Sequence, residues 1–261
     1  MPELPDLEVF KTNIYHRLTS KRLVGLEVFN AMKVHASRGV QPQAFIGRDL
    51  AGIDRFGKEL FFDFGEGKTI SAHLMLNGEI SLVVQEAADA IRHKIFALRF
   101  EEETLVFSDR GGLCTIRFAP PLSRTPDAFG ASFTWEYFLK TARAKPLTNV
   151  KAFLIDQKVV KGIGNAYADE ILWAARISPR SFVGKIPEEK LMELYRAIDA
   201  VLRGAVDSIR RIAPDIISGE ERSFLKVHNK KLRETETGYP IIIETVASKI
   251  TYYTGEQVLY S

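Results

Sequence analysis

The sequence predicts an α+β chain: an N-terminal helix leading into an all-β domain, then a helical domain closed by a β-hairpin. Three observations carry this. Leu7, Phe10, Ile14 and Leu18 recur at helical spacing near the start. Residues 22 to 118 change to short alternating runs broken by glycine-rich turns. Past the proline-rich stretch FAPPLSRTPDAFG the pattern is helical, until the tail returns to β-rich composition.

The elements follow in order. MPELPDLEVF opens a helix at once, with Asp6 placed to cap it. LFFDFGEGKTISAHLMLNGEISLVV alternates at Leu60, Phe62 and Phe64, and HKIFALRFEEETLVFSDRG reads as a further hairpin. Short strands with tight turns make a β-sandwich or a barrel. NVKAFLIDQKVV and NAYADEILWAARI are two short helices joined by KGIG. PEEKLMELYRAIDAVLRGAVDSIRRI begins with Pro187 at a first-turn position and carries Leu191, Leu194, Ile198, Val201 and Ile209 on one stripe. GYPIIIETVASKITYYTGEQVLYS forms the terminal hairpin. The expected domains are 1–122, 123–220 and 221–261.

Composition narrows the class. With 261 residues, 46 % hydrophobic and 26 % charged, the chain has a globular rather than a disordered profile. A single cysteine, Cys114, excludes an internal disulfide and any multi-cysteine zinc site, and suits a reducing cytoplasm. No apolar run is long enough to span a membrane, and acids stand where a signal peptide needs basic residues.

The net charge of +3 says little, but its distribution says more. Lys140 to Lys161 holds six basic residues and one acid, Asp156; Arg222 to Arg233 holds five basic residues and no acid. Flanking a helix–turn–helix hairpin, such clusters suit phosphate neutralisation, although each reads equally as a solvated face. KGIGN adds glycines that allow close backbone approach at a helix N-terminus, which suits a phosphate oxygen or is only a turn.

Together PELPDLEV, FGKELFF, HLMLNGEI and DQKVVKGIGNAYADEILWAARISP resemble the formamidopyrimidine-DNA glycosylase and endonuclease VIII family of base-excision repair enzymes. The resemblance covers nearly the whole chain. It implies an N-terminal β-sandwich, a helix–two-turn–helix DNA-binding domain and a finger-like hairpin. It also implies a bifunctional DNA glycosylase/AP lyase that acts on damaged double-stranded DNA as a monomer without a cofactor, in a bacterial-type, nucleoid-associated cytoplasmic setting.

By this resemblance, loss of Met1 makes Pro2 the N-terminal amine that attacks C1′ of the damaged nucleotide and leaves a Schiff base. An α-amino group titrates at about pH 8, nearer neutrality than lysine, so it needs less tuning to be nucleophilic. Glu3 is the implied general acid and base, or simply a charge complementing the helix dipole. Lys58 is the implied phosphate-holding lysine that supports the proline amine, or an edge-protecting surface charge. Lys151 and Asn165 are the implied phosphate contacts; Asn165 also suits a helix N-cap. Leu76 matches a wedge filling the space left by the extruded base, or packs as a turn-proximal core residue. Arg110 probes the opposite strand or is a plain turn arginine.

The sequence also departs from the family pattern. Residues 221–261 contain no cysteine, which implies a zincless finger without bound metal, held by apolar side chains such as Ile241, Ile243 and Tyr252. Lys249 stands where an arginine usually meets phosphate, and a lysine lacks the bidentate fork. Asp6 replaces a glutamate, with a shorter reach. APDIISGEERSFLKVHNKK is short where 8-oxoguanine glycosylases carry a long covering loop, and SDRGGLC lacks their Arg-x-Phe-like wedge. The short loop and the missing wedge favour oxidised pyrimidines, and the resemblance implies strand cleavage by β,δ-elimination. The alternatives are a formamidopyrimidine/8-oxoguanine glycosylase, or a DNA-binding relative without glycosylase activity.

Overall fold

The computed structural model describes residues 1–121 and 123–261; Leu122, at the expected domain boundary, lies outside the described residues. The chain forms two compact units, Met1–Leu122 with Ile209–Glu220, and Ser123–Ser208 with Glu221–Ser261. Residues 209–220, grouped by sequence with the helical part, therefore pack in the first unit, and 221–261 share a unit with the helices.

Unit 1 begins with α1 (Leu4–Leu18). Its N-cap is Glu3 rather than Asp6. The two residues form a reciprocal capping box, and the Glu3 amide donates to the Asp6 carboxylate at 2.8 Å. Asp6 is thus long enough to do what its position requires. Leu7, Phe10, Ile14 and Leu18 are all buried, and α1 packs on β3 and β4. Each such side chain contributes about 1.5–3 kcal/mol of burial.

The strands are β1 (Leu23–Val28), β2 (Val34–Ala36), β3 (Gly52–Phe56), β4 (Glu59–Asp63), β5 (Thr69–His73), β6 (Glu79–Val83), β7 (Lys94–Phe100), β8 (Thr104–Ser108) and β9 (Thr115–Phe118), with a short helix α2 (Gln85–Asp89) after β6. They form two sheets. One runs β1-β7-β8-β6, all antiparallel. The other runs β2-β9-β5-β4-β3 and is antiparallel except for the β2–β9 pair. Phe62 meets Phe107 edge-on at 5.9 Å and Phe96 meets Phe118 at 5.7 Å, so the two sheets share one core as a sandwich. Ile216 and Ile217 pack against this core. Asn13 Nδ2 donates to the carbonyls of Pro214 and Ile216 at 2.7 and 2.8 Å. These contacts draw 209–220 into unit 1.

Unit 2 contains α3 (Trp135–Ala144), α4 (Val150–Ile155), α5 (Asn165–Ala174), most of α6 (Glu188–Ile212) and the antiparallel hairpin β10 (Ile241–Val246) and β11 (Lys249–Thr254). Thr134 caps α3 and Asn149 caps α4 through their side chains. The buried stripe of α6 runs through Leu202, while Val201 is only half-buried. No helix among the described residues is long and apolar enough to cross a membrane.

Phe107→Ala is expected to destabilise unit 1 by about 3–5 kcal/mol, since it removes a ring that bridges both sheets. A shift in the urea midpoint of unit 1 measures this; a near-neutral effect would contradict the shared core.

Candidate active site

The start of unit 1 is a rigid, buried corner. Pro2 and Glu3 are both buried, immediately ahead of α1. With Met1 in place the Pro2 nitrogen is an amide, and the free amine is that of Met1, whose ammonium pairs with Glu220. Lys58 lies in the two-residue turn between β3 and β4, where Phe56 pairs with Glu59. Gly57 has φ +60°, a conformation that favours glycine and closes this tight turn. Lys58 is largely buried, which is not the position of an edge-protecting surface charge.

Hairpin and helix are joined by charge. Arg55 donates to Glu8 at 2.8 Å and to the Gly57 carbonyl at 3.1 Å. Glu8 also pairs with Lys11. Glu8 sits five residues past Glu3, about 7.5 Å along the helix. The Lys58 turn is therefore pinned to the first turns of the helix that begins at Pro2 and Glu3. Burial pushes the Glu8 carboxyl up, but hydrogen bonds from Lys11 and Arg55 outweigh it and hold its pKa below the usual range.

Two loops of unit 1 present further candidates. Leu76 lies in the β5–β6 turn and is 58 % exposed, so it is not a core leucine. Gly78 donates to the Leu74 carbonyl at 2.9 Å, and a Cβ on Gly78 would meet that oxygen at 2.3 Å. Only glycine closes this turn, which holds an apolar side chain outward. Arg110 is exposed on the β8–β9 loop. Asp109 organises that loop, accepting the amides of Gly111, Leu113 and Cys114 at 2.7, 2.6 and 2.7 Å. Burial raises the Asp109 pKa, yet these amides win and leave it lowered. Leu113, 37 % exposed on the same loop, is an apolar candidate that motif spacing missed. Asn77, Glu79, His93 and Arg110 line a shared open pocket of about 870 Å³.

Unit 2 corrects one expectation outright. Lys151 is 0 % exposed: its ammonium lies 2.7 Å from Asp169 Oδ1 and donates to Thr251 Oγ1 at 2.6 Å. It is an interior cation and presents nothing to a phosphate. Asn165 is the first residue of α5, and Gly164 is the cap. Its Nδ2 donates to the Ile250 carbonyl at 2.9 Å. Gln157 knits the α4–α5 turn, accepting from Gly162 and donating to the Ile155 and Ile163 carbonyls. Lys249 is exposed and follows the tight turn of Ala247 and Ser248, both at positive φ.

The basic clusters also thin out. Lys145 pairs with Asp156 at 2.8 Å, Arg143 with Glu188, and Lys226 with Glu236 at 2.7 Å. Arg222 lies 5.0 Å from the Tyr167 ring centre. Lys140, Lys158, Lys230, Lys231 and Arg233 stay at the surface or near it. The hairpin is not held mainly by apolar packing. Ile243 is 54 % exposed, while Thr251 and Thr254 are buried.

Two measurements bear on this geometry. The depressed Glu8 pKa supplies stability present above the ordinary carboxylate range and lost as pH falls through the folded value. Glu8→Gln should flatten that part of the acid limb in urea unfolding between about pH 2 and 6; an unchanged limb would remove Glu8 as its source. Burial, with the Asp109 charge behind it, pushes the Cys114 thiol up to about 12. Iodoacetamide at pH 8 should leave this thiol unmodified in the native protein and alkylate it on unfolding.

Comparison with known proteins gives a consistent picture. Residues 1–115 match the formamidopyrimidine-DNA glycosylase N-terminal domain profile, and residues 125–213 the formamidopyrimidine-DNA glycosylase H2TH domain profile. The formamidopyrimidine-DNA glycosylase of Carboxydothermus hydrogenoformans is 31 % identical, covering 88 % of this chain and 89 % of its own. That of Acidithiobacillus ferrooxidans is 30 % identical over 98 % of this chain and 99 % of its own. A crystal structure of Lactococcus lactis Fpg with DNA containing an oxidised pyrimidine superposes with a TM-score of 0.84 at 23 % identity, covering 98 % of this chain and 99 % of that one. At that identity the superposition shows the shared fold alone.

Proposed function

The chain belongs to the formamidopyrimidine-DNA glycosylase family, and we propose that it is a bifunctional DNA glycosylase/AP lyase of base-excision repair whose nucleophile is the Pro2 amine freed by loss of Met1. The observation that carries this reading is the pinned corner of unit 1. The Glu3–Asp6 capping box fixes the chain start, and the Glu8–Arg55 pair ties the Lys58 turn to the same helix.

The chemistry follows from those groups. The unprotonated secondary amine of Pro2 attacks C1′, the glycosidic bond breaks, and the base leaves with the bonding pair and takes up the proton that the new N–C1′ ammonium releases. Glu3 protonates the sugar ring oxygen, the ring opens, and an iminium remains between Pro2 and C1′. The iminium acidifies the C2′ proton, so elimination of the 3′ phosphate and then the 5′ phosphate cuts the strand. The Lys58 ammonium opposes protonation of the amine and holds phosphate. The substrate is damaged double-stranded DNA. Leu76, with Arg110 and Leu113, fills the gap left by the extruded base, and Asn165 and Lys249 hold the backbone.

The short segment at 213–231 and the lack of an Arg-x-Phe-like wedge in the 108–114 loop favour oxidised pyrimidines. The second reading, a preference for formamidopyrimidine or 8-oxoguanine lesions, is favoured by the names of the curated relatives.

Borohydride should trap the processed enzyme covalently on abasic duplex DNA, and Pro2→Gly should reduce trapping on the order of 100-fold or more, since the secondary amine is lost. Glycine keeps a primary amine, so the adduct is also mapped by mass spectrometry, and attachment away from position 2 would move the nucleophile elsewhere, first to Lys58. No adduct with the processed enzyme would instead leave a DNA-binding protein without lyase activity. A panel of thymine glycol, dihydrouracil and 8-oxoguanine decides the lesion class, and faster release of 8-oxoguanine would overturn the pyrimidine preference.

A further inference from the structure

A buried polar cluster of unit 2 centres on Asp169, in the middle of α5. Its Oδ1 lies 2.7 Å from Lys151 Nζ, with both side chains fully buried. Its Oδ2 accepts the Tyr252 amide at 2.9 Å and lies 2.7 Å from His228 Nδ1. Lys151 continues to Thr251 Oγ1 at 2.6 Å and to the Ile250 carbonyl at 3.3 Å. The same Ile250 carbonyl takes the Asn165 amide at 2.9 Å. One carboxylate thus links α4, the 221–240 segment and β11. Next to it, Glu170 accepts the amides of Lys226, Val227 and His228 at 3.0, 2.9 and 2.7 Å.

Stability alone does not explain this cluster. Aspartate is a poor helix-interior residue, and each buried ion carries a desolvation cost that well-packed apolar side chains avoid. Such a pair is better at specifying one arrangement than at adding stability. The arrangement specified here is that of β11. Apolar packing holds only part of the hairpin: Val246 is buried, but Ile242, Ile243 and Ile250 are all exposed. A thiolate zinc site does not fit either, because 221–261 contains no cysteine and His228 is already engaged with Asp169.

We propose that Asp169 is a positioning residue for DNA binding: with Lys151 and His228 it locks β11 onto the α4–α5 pair and so sets where Lys249 and Asn165 meet the phosphate backbone. Lys249 directly precedes Ile250, whose carbonyl Lys151 and Asn165 both grip. This rests on the proposed DNA contacts of Lys249 and Asn165.

The test uses the full chain and a duplex with a tetrahydrofuran abasic analogue, titrated by fluorescence anisotropy over a series of KCl concentrations. Lys249→Ala should reduce the slope of log affinity against log salt by about one contact. Asp169→Asn should reproduce that loss, with binding weaker on the order of tenfold. Adding Lys249→Ala to Asp169→Asn should change nothing further; additive losses would overturn the proposal. The double variant Lys151→Met/Asp169→Leu leaves no lone buried charge, so it keeps the test alive if Asp169→Asn does not fold, and it should show the same reduced slope. Amide exchange is read separately. Faster exchange across β11, with α6 unchanged, supports the lock, and wild-type exchange at β11 overturns it. If Lys249→Ala itself binds DNA normally, the phosphate role of Lys249 fails, and exchange at β11 still decides the role of Asp169.

Discussion

The buried join between the first turns of α1 and the β3–β4 hairpin is the constraint on which unit 1 depends. Arg55 reaches from the strand to Glu8 and back to the carbonyl of its own turn. This pair would contribute little on an open surface, but here the Arg55 side chain is 4 % exposed. Loss of Glu8 takes the carboxylate away from a guanidinium next to the core, whereas loss of Arg55 leaves Glu8 with Lys11, so the pair ties the Lys58 turn to the helix start. A chain end would ordinarily be the most mobile part of a protein. The reciprocal Glu3–Asp6 cap and the apolar face of α1 remove that freedom.

Unit 2 solves a related problem by different means. A short hairpin with much of its apolar surface exposed cannot hold its own register against a helix pair. Here the holding is done by charge. Asp169 and Glu170 are adjacent on α5, and both turn their carboxylates to backbone amides of the chain that returns over the helix. Lys151 places its charge against the first carboxylate from α4. The cation expected at the surface is thereby held inside, while Lys249 stays exposed.

Much of the architecture was legible in the residues. The stripe of α1, the alternating strands, the two short helices and the terminal hairpin all follow from local periodicity and turn chemistry. The allocation of 209–220 was not, because the helical stripe runs on through Ile209, and only the sandwich core shows where Ile216 and Ile217 pack. Lys58 and Leu76 were legible as motif positions, with two readings each. Burial removed the surface reading for Lys58 and exposure removed the core reading for Leu76. Leu113 carried no signal beyond being apolar in a glycine-rich loop, since Asp109 organises that loop through three backbone amides.

By itself the sequence determined the family, the order of elements and the chemical groups at the chain start, because these depend on residue identity and short-range spacing. Only the tertiary structure decided which charges face inward. A lysine in a basic run reads the same whether it is solvated or buried, and the carboxylate that makes burial tolerable for Lys151 lies eighteen residues away on a different helix. Charge pairing across such distances depends on how elements pack, and no local pattern encodes it.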